Sequence, residues 1–306
     1  MKILSLTNTP LDPALGSGKT RLAWTNGLRN YGHDVEVLTP SDYYRQWPMG
    51  KAKRLKMRLD SQSLLTKIVK GKYDLIEFYG AEFGLLMKAI AKYPRCDRPL
   101  LVAHTDGLEL LASRSLENEI DCTKRQLIPR LASNLAQLLI SKIDYLAFSS
   151  ADCFVTGCEA DLRFIVLNKI LPTERCMVVE PGIDNAFLEA PWDSEKKQIL
   201  VSFFTWTARK DIKTMVRVVT NLLTQMADLE FHVLGAAGSK HNILSAFAEQ
   251  LRSRIVVYPR LSQQHIVEVL TQAKVFLFPS FYEGFGMATT EAMACGCAVV
   301  VTPTGF

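Results

Sequence analysis

The chain has 306 residues, 48% of them hydrophobic and 22% charged, with a formal net charge of +5. That balance belongs to a folded globular protein and excludes a disordered or low-complexity chain. No apolar run reaches the roughly 18 residues of a membrane-spanning helix. At about 150 residues per domain, the length predicts two domains. Met1–Asn8 holds too short an apolar run for a signal peptide, so the expected location is the cytoplasm. Cysteines stand at 96, 122, 153, 158, 176, 295 and 297, an odd number with no CxxC pair. Neither a disulfide framework nor a structural zinc site is expected from that pattern.

Short β-branched runs alternate with helical stretches along the chain. The predicted strands of the first half are Lys2–Thr7, Asp34–Leu38, Asp74–Tyr79, Leu100–His104, Cys153–Thr156 and Met177–Glu180. Those of the second half are Ile199–Phe204, Glu230–Leu234, Ile255–Tyr258, Val275–Pro279 and Ala298–Thr302. They are continuous apolar runs, as strands covered on both faces require. With helices between them they read as βαβ units, and the expected class is α/β with two doubly wound parallel sheets. The first helix is expected over Lys19–Tyr31, populated by Leu22, Trp24, Leu28 and Tyr31 and stopped by Gly32. Pro181, Gly182, Pro191 and the charged run Asp193–Lys197 break the pattern, so the domains are expected at 1–188 and 189–306. The second set ends just after a strand, which leaves apolar sheet surface bare; the expectation is a fragment or a natural truncation.

The segment from Pro279 to Gly296 is the most informative. Here a strand ends, a loop with Gly284 and Gly286 follows, and a helix over Met287–Cys295 runs to a stop at Gly296. Such a unit lies at the carboxyl edge of a parallel sheet, where open α/β folds bind ligands. Backbone N–H groups at Gly284–Met287, with the helix dipole behind them, favour an anion such as a diphosphate. Glu283 lies on the loop and Glu291 about one turn into the helix, where a carboxylate can accept bonds from ribose-type hydroxyls. A plain helix N-terminus with routine glycines and a solvated Glu is the alternative that these residues leave open.

Glu283 and Glu291, within PSFYEGFG…EAMACG, are similar to the E-x7-E signature of family 4 retaining glycosyltransferases, which have the GT-B fold. Other segments resemble that family in the same order. They are Gly16-Ser17-Gly18, Gly32-His33-Asp34-Val35, His104 to Glu109, Pro181-Gly182-Ile183-Asp184 and Arg209-Lys210-Asp211. The resemblance implies two Rossmann-like domains facing a cleft, acceptor on the first and donor on the second. It implies transfer of a sugar from a UDP- or GDP-linked donor to a glycan or lipid-linked acceptor, with retained anomeric configuration, no cofactor and no metal. Carried over by position, Glu291 would hold the ribose and Glu283 would contact the donor sugar. Backbone N–H groups of Phe285, Gly286 and Met287, beside Gly284, would receive sugar and phosphate oxygens. Lys210 would neutralise the diphosphate, with Arg209 assisting, and His104 would face the transferred sugar. Gly16 and Gly18 would let the first loop approach the phosphates. Where many relatives carry an Arg on the phosphates this chain has Thr205, and the Gly235–Gly238 turn is looser than theirs. A non-catalytic nucleotide-sugar or glycan-binding relative is the alternative function.

Three other patterns bear on function. Gly18-Lys19-Thr20 ends like a P-loop, but a Walker A motif needs Gly where Pro13 stands. The run Lys51–Leu59 has five basic residues and no acid, either a solvated helix face or a patch for the inner membrane surface. No nucleic-acid motif accompanies it, and no nucleic-acid partner is expected. His33, His232, His241 and His265 lack metal-ligand spacing, and Cys295 and Cys297 read as packing residues.

Overall fold

The computed structural model describes residues 1–12, 16–43, 58–108, 110–111, 128–191, 195–203, 206–236, 240–259 and 261–305. Eleven strands form among them, all paired in parallel, in two separate sheets. The chain divides into two units, Met1–Glu180 and Pro181–Gly305.

The first unit holds β1 (Lys2–Leu6), β2 (Asp34–Leu38), β3 (Leu75–Tyr79), β4 (Leu100–Thr105), β5 (Cys153–Thr156) and β6 (Cys176–Val178), in the order β2-β1-β3-β4-β5-β6. Every predicted strand is present, with ends moved by one or two residues. The apolar runs are continuous because helices cover both faces: Leu4, Leu6, Ile76, Phe78, Leu101, Ala103 and Phe154 all lie in one buried core.

The first helix, α1 (Gly16–Asn30), starts three residues earlier than expected. Its buried residues are Gly18, Arg21 and Thr25, while Tyr31 beyond its end is 86% exposed. Leu22, Trp24 and Leu28 are half-buried. Polar partners decide the face: Arg21 donates to Asp106 Oδ2 at 2.6 Å and stacks over the Tyr79 ring at 4.8 Å. Arg58, the last basic residue of the run read as a solvated or membrane-facing patch, is also corrected. It is buried and bonded to Asp144 through Nε at 2.8 Å and Nη2 at 2.5 Å, on α2 (Ile128–Ser149). Burying a guanidinium needs a partner charge, and Asp144 supplies it. The rest of that run, residues 51–57, lies outside the described residues.

The second unit holds β7 (Lys197–Phe203), β8 (Glu230–Leu234), β9 (Ile255–Val257), β10 (Ala273–Phe278) and β11 (Ala298–Val301), in the order β11-β10-β7-β8-β9. Val201, Phe231, Val233 and Phe276 centre its core, and Phe187 and Ile183 pack there too. Its longest described helices are α3 (Ile212–Gln225), α4 (Gln263–Gln272) and α5 (Met287–Ala294). The charged run read as a linker runs into β7. Lys196 Nζ donates to Thr271 O at 2.6 Å and Cys295 O at 2.9 Å, so one ammonium caps the ends of α4 and α5. On the edge strand β11, Val300 is 56% and Val301 39% exposed. Cys295 and Cys297 are buried, and burial pushes both thiols up to about 11, as packing residues require. No described helix is long and apolar enough to cross a membrane.

Candidate functional site

In the second sheet the chain moves from β7 outward to β8 and β9, then returns to the other side of β7 as β10. The loops leaving β7 and β10 therefore part company at the carboxyl edge, the place where open parallel sheets form ligand crevices. Both loops carry predicted site residues.

After β7 comes Thr205, which lies outside the described residues. Arg209 and Lys210 follow on a single 3-10 turn, Ala208–Lys210, closed by a bond from Lys210 N to Thr207 O at 3.0 Å. Asp211 then caps α3, accepting from Thr214 N at 3.1 Å. The two loops are laced together by backbone: Phe281 N donates to Arg209 O at 3.0 Å.

After β10 the chain turns through Pro279–Gly286 into α5. Lys210 Nζ donates to Glu283 Oε1 at 2.5 Å, with the two side chains 9% and 12% exposed, and lies 4.3 Å over the Phe278 ring. Burial drives the Lys210 amine below the ordinary lysine range, while Glu283 works to hold its proton in place. The pair is a largely desolvated charge couple at the carboxyl edge of the sheet.

The residue before α5 is Gly286, in the left-handed region at φ 103°, a conformation that favours glycine. A glycine has no side-chain oxygen, so Gly286 offers no side-chain cap to the first N–H groups of this helix. Gly284 and Gly286 are buried, and Phe285 and Met287 are half-buried beside them. Glu291 follows in the second turn of α5, buried at 6% exposure. The loop after β7 thus brings a lysine to the β10–loop–α5 unit, which carries two carboxylates and a helix N-terminus.

The first unit holds the remaining predicted residues. His104, at the end of β4, is 6% exposed. It stacks on Tyr79 with centroids 4.7 Å apart and meets the edge of Trp24 at 5.1 Å. Its Nε2 lies 3.5 Å from Glu77 Oε2, which accepts from Trp24 Nε1 at 2.8 Å. Burial pushes His104 down to about 3, with Arg21 adding to it, and burial raises Glu77. Gly16 and Gly18 are the first turn of α1, not a loop. At Gly18 a Cβ would stand 2.3 Å from Asp12 O, so the missing side chain admits the chain's own backbone.

Three residues of these sites were given no role from sequence, although Ser280 stands within the PSFYEGFG segment. Ser280 Oγ donates to Glu283 Oε1 at 2.5 Å, and Arg21 and Glu77 build the polar base under His104. A Ser after a strand, an Arg on a helix and a Glu within an apolar strand are each ordinary in sequence. Only the fold brings them to their partners.

Residues 185–306 match the family model described as "Glycosyl transferases group 1". The chain is 28% identical over 182 residues to the N,N'-diacetylbacillosaminyl-diphospho-undecaprenol alpha-1,3-N-acetylgalactosaminyltransferase of Campylobacter jejuni, covering 56% of this chain and 47% of that protein. It is 34% identical over 177 residues to the D-inositol 3-phosphate glycosyltransferase of Corynebacterium jeikeium, covering 51% of this chain and 42% of that one. The chain thus spans less than half the length of these two relatives. Among solved structures, sucrose-phosphate synthase from Thermosynechococcus elongatus aligns over 100% of this chain and 82% of its own, with a TM-score of 0.74 at 14% identity. That likeness speaks for the fold alone. The second unit, from residue 185 on, carries the sequence pattern of the group 1 glycosyl transferases, and the chain has the two parallel-sheet units of the GT-B fold.

Proposed function

We propose that the chain is a retaining glycosyltransferase of family 4 type. It moves a sugar from a UDP- or GDP-linked donor to a glycan or lipid-linked acceptor, with the donor on the second unit. The observation that carries this reading is the Lys210–Glu283 ion pair at the switch point of the second sheet, beside the glycine-led N-terminus of α5. The names of both relatives given above describe glycosyl transfer, and that of the Campylobacter jejuni protein includes a diphospho-undecaprenol carrier.

In this reading the donor diphosphate takes the N–H groups of Gly284–Met287, and Lys210 exchanges its bond to Glu283 for one to the phosphates. Glu291 accepts from the ribose hydroxyls and Glu283 from those of the sugar. As the bond from the anomeric carbon to the diphosphate oxygen breaks, charge builds on the leaving phosphate, where fixed cations and N–H dipoles stabilise it most. The acceptor oxygen bonds to the same face of the anomeric carbon, and its proton passes to the departing phosphate oxygen. Arg209 assists Lys210 at the phosphates, Thr205 is the residue where many relatives carry an Arg, and the step calls on no metal.

A melting panel with UDP, GDP, ADP and their common sugars tests this. A ligand that binds the native state raises the midpoint by mass action. The reading expects one nucleotide class to do so, and expects Glu291→Ala to abolish the shift. A cooperative melt that no nucleotide moves would favour a glycan-binding, non-catalytic protein.

A further inference from the structure

Glu283 carries the donor-sugar contact in the function proposed above, so what holds its carboxylate matters. Two donors converge on one of its oxygens. Lys210 Nζ and Ser280 Oγ both reach Oε1 at 2.5 Å, and among the described residues nothing bonds to Oε2. Ser280 is itself fixed. It is 1% exposed, its N–H donates to Thr302 Oγ1 at 2.9 Å, and that hydroxyl donates back to Ser280 O at 2.6 Å. The carbonyls of Arg209 and Tyr282 lie 3.2 and 3.1 Å from Ser280 Oγ. A hydroxyl has one proton, and the nearer, charged carboxylate is the stronger acceptor.

We propose that Ser280 is a positioning residue for Glu283: clamped by Thr302, it holds Oε1 in place and leaves Oε2 as the oxygen presented to the donor sugar. This inference rests on the proposed donor site. Its physical content concerns what happens when Lys210 lets go. A diphosphate competes with Glu283 for the ammonium, and a carboxylate held by Lys210 alone would be dragged or released as the lysine turns. The second bond, from a residue that touches no ligand, keeps the carboxylate aimed through that exchange. Thr302 comes from the turn after β11, so the aim of Glu283 is set by two loops of the same sheet edge.

The test uses the 306-residue chain with Ser280→Ala, Ser280→Thr and Thr302→Val. The affinity for UDP and GDP is measured by calorimetry. Release of UDP or GDP from saturating UDP- and GDP-hexoses is measured as turnover. Ser280→Ala is expected to lower kcat at least tenfold with nucleotide affinity changed less than twofold, and Ser280→Thr, which keeps the hydroxyl, to recover most of it. Thr302→Val should give a smaller loss that does not add to that of Ser280→Ala. Equal losses in affinity and kcat, or none, would overturn the proposal. Crystal structures of the wild type and of Ser280→Ala decide the matter even for a chain that turns over no donor. The expected result is a displaced Glu283 carboxylate in the variant; an unmoved one overturns the role of Ser280. A wild-type chain that binds neither nucleotide overturns the donor-site reading instead, and the two failures are distinct.

Discussion

Lys210 and Glu283 each stabilise the other's charge in a place that water barely reaches. Removing one partner leaves the other buried alone, a loss of roughly 3–5 kcal/mol in fully buried pairs and less at this rim. Glu283→Ala is therefore expected to lower the unfolding free energy by about 2 kcal/mol, apart from any effect on transfer. Lys210→Met in the same chain should recover most of it. Urea melts of the two single variants and the double variant measure this coupling, and additive losses would contradict a direct pair. The same residues show what a sequence reveals at this scale. The spacing of Glu283 and Glu291 and the order Arg209-Lys210-Asp211 were legible, because loop chemistry at a strand end is written in consecutive residues. That Lys210 is spent on Glu283 before any ligand arrives was not legible, since the two lie 73 positions apart.

At the scale of elements, the strands were legible and the faces of the helices less so. Runs such as Phe276-Leu277-Phe278 or Leu4-Ser5-Leu6 declare a strand covered on both sides, whatever surrounds them. The inner face of α1 depends on what waits beneath it, and there Arg21 is buried because Asp106 and Thr9 offer it partners. Lys196 makes the same point: a residue in a charged run turns out to cap two helices at once. Two glycines of α1 separate these effects by experiment. At Gly18 a methyl group would collide with the Asp12 backbone, whereas at Gly27 nothing lies within 4 Å. Gly18→Ala should destabilise by about 1–3 kcal/mol through overpacking. Gly27→Ala should stabilise by roughly 0.5–1 kcal/mol through helix propensity. Chemical denaturation of the two variants gives opposite signs if α1 is seated as described; equal effects would place the helix elsewhere.

For the molecule as a whole, two units with separate cores mean that acid acts on them through different groups. In the first unit His104 is held neutral, its pKa pushed down to about 3 from an ordinary 6.5. The unfolded chain therefore binds more protons than the folded one between those values, and stability falls as pH drops from about 6.5 toward 3. Glu77, raised by burial, pulls the other way above its ordinary value, so the wild-type slope is a difference of two terms. His104→Phe keeps a ring between Tyr79 and Trp24 and removes the acid-sensitive one. Its stability should fall less steeply than that of the wild type over this window, by up to about 4 kcal/mol at the acid end. Thermal melts at a series of pH values read the difference, and parallel profiles would mean that His104 already reaches solvent.

The central claim is that the second unit binds a nucleoside diphosphate through Lys210 and the start of α5. Calorimetric titration of the 306-residue chain with UDP and with GDP, wild type beside Lys210→Met, tests it most directly. The account predicts one site for one of the two nucleotides, with affinity reduced at least tenfold in the variant, as the loss of one charge-assisted bond to phosphate requires. Binding of neither nucleotide, or equal binding by both proteins, would contradict it.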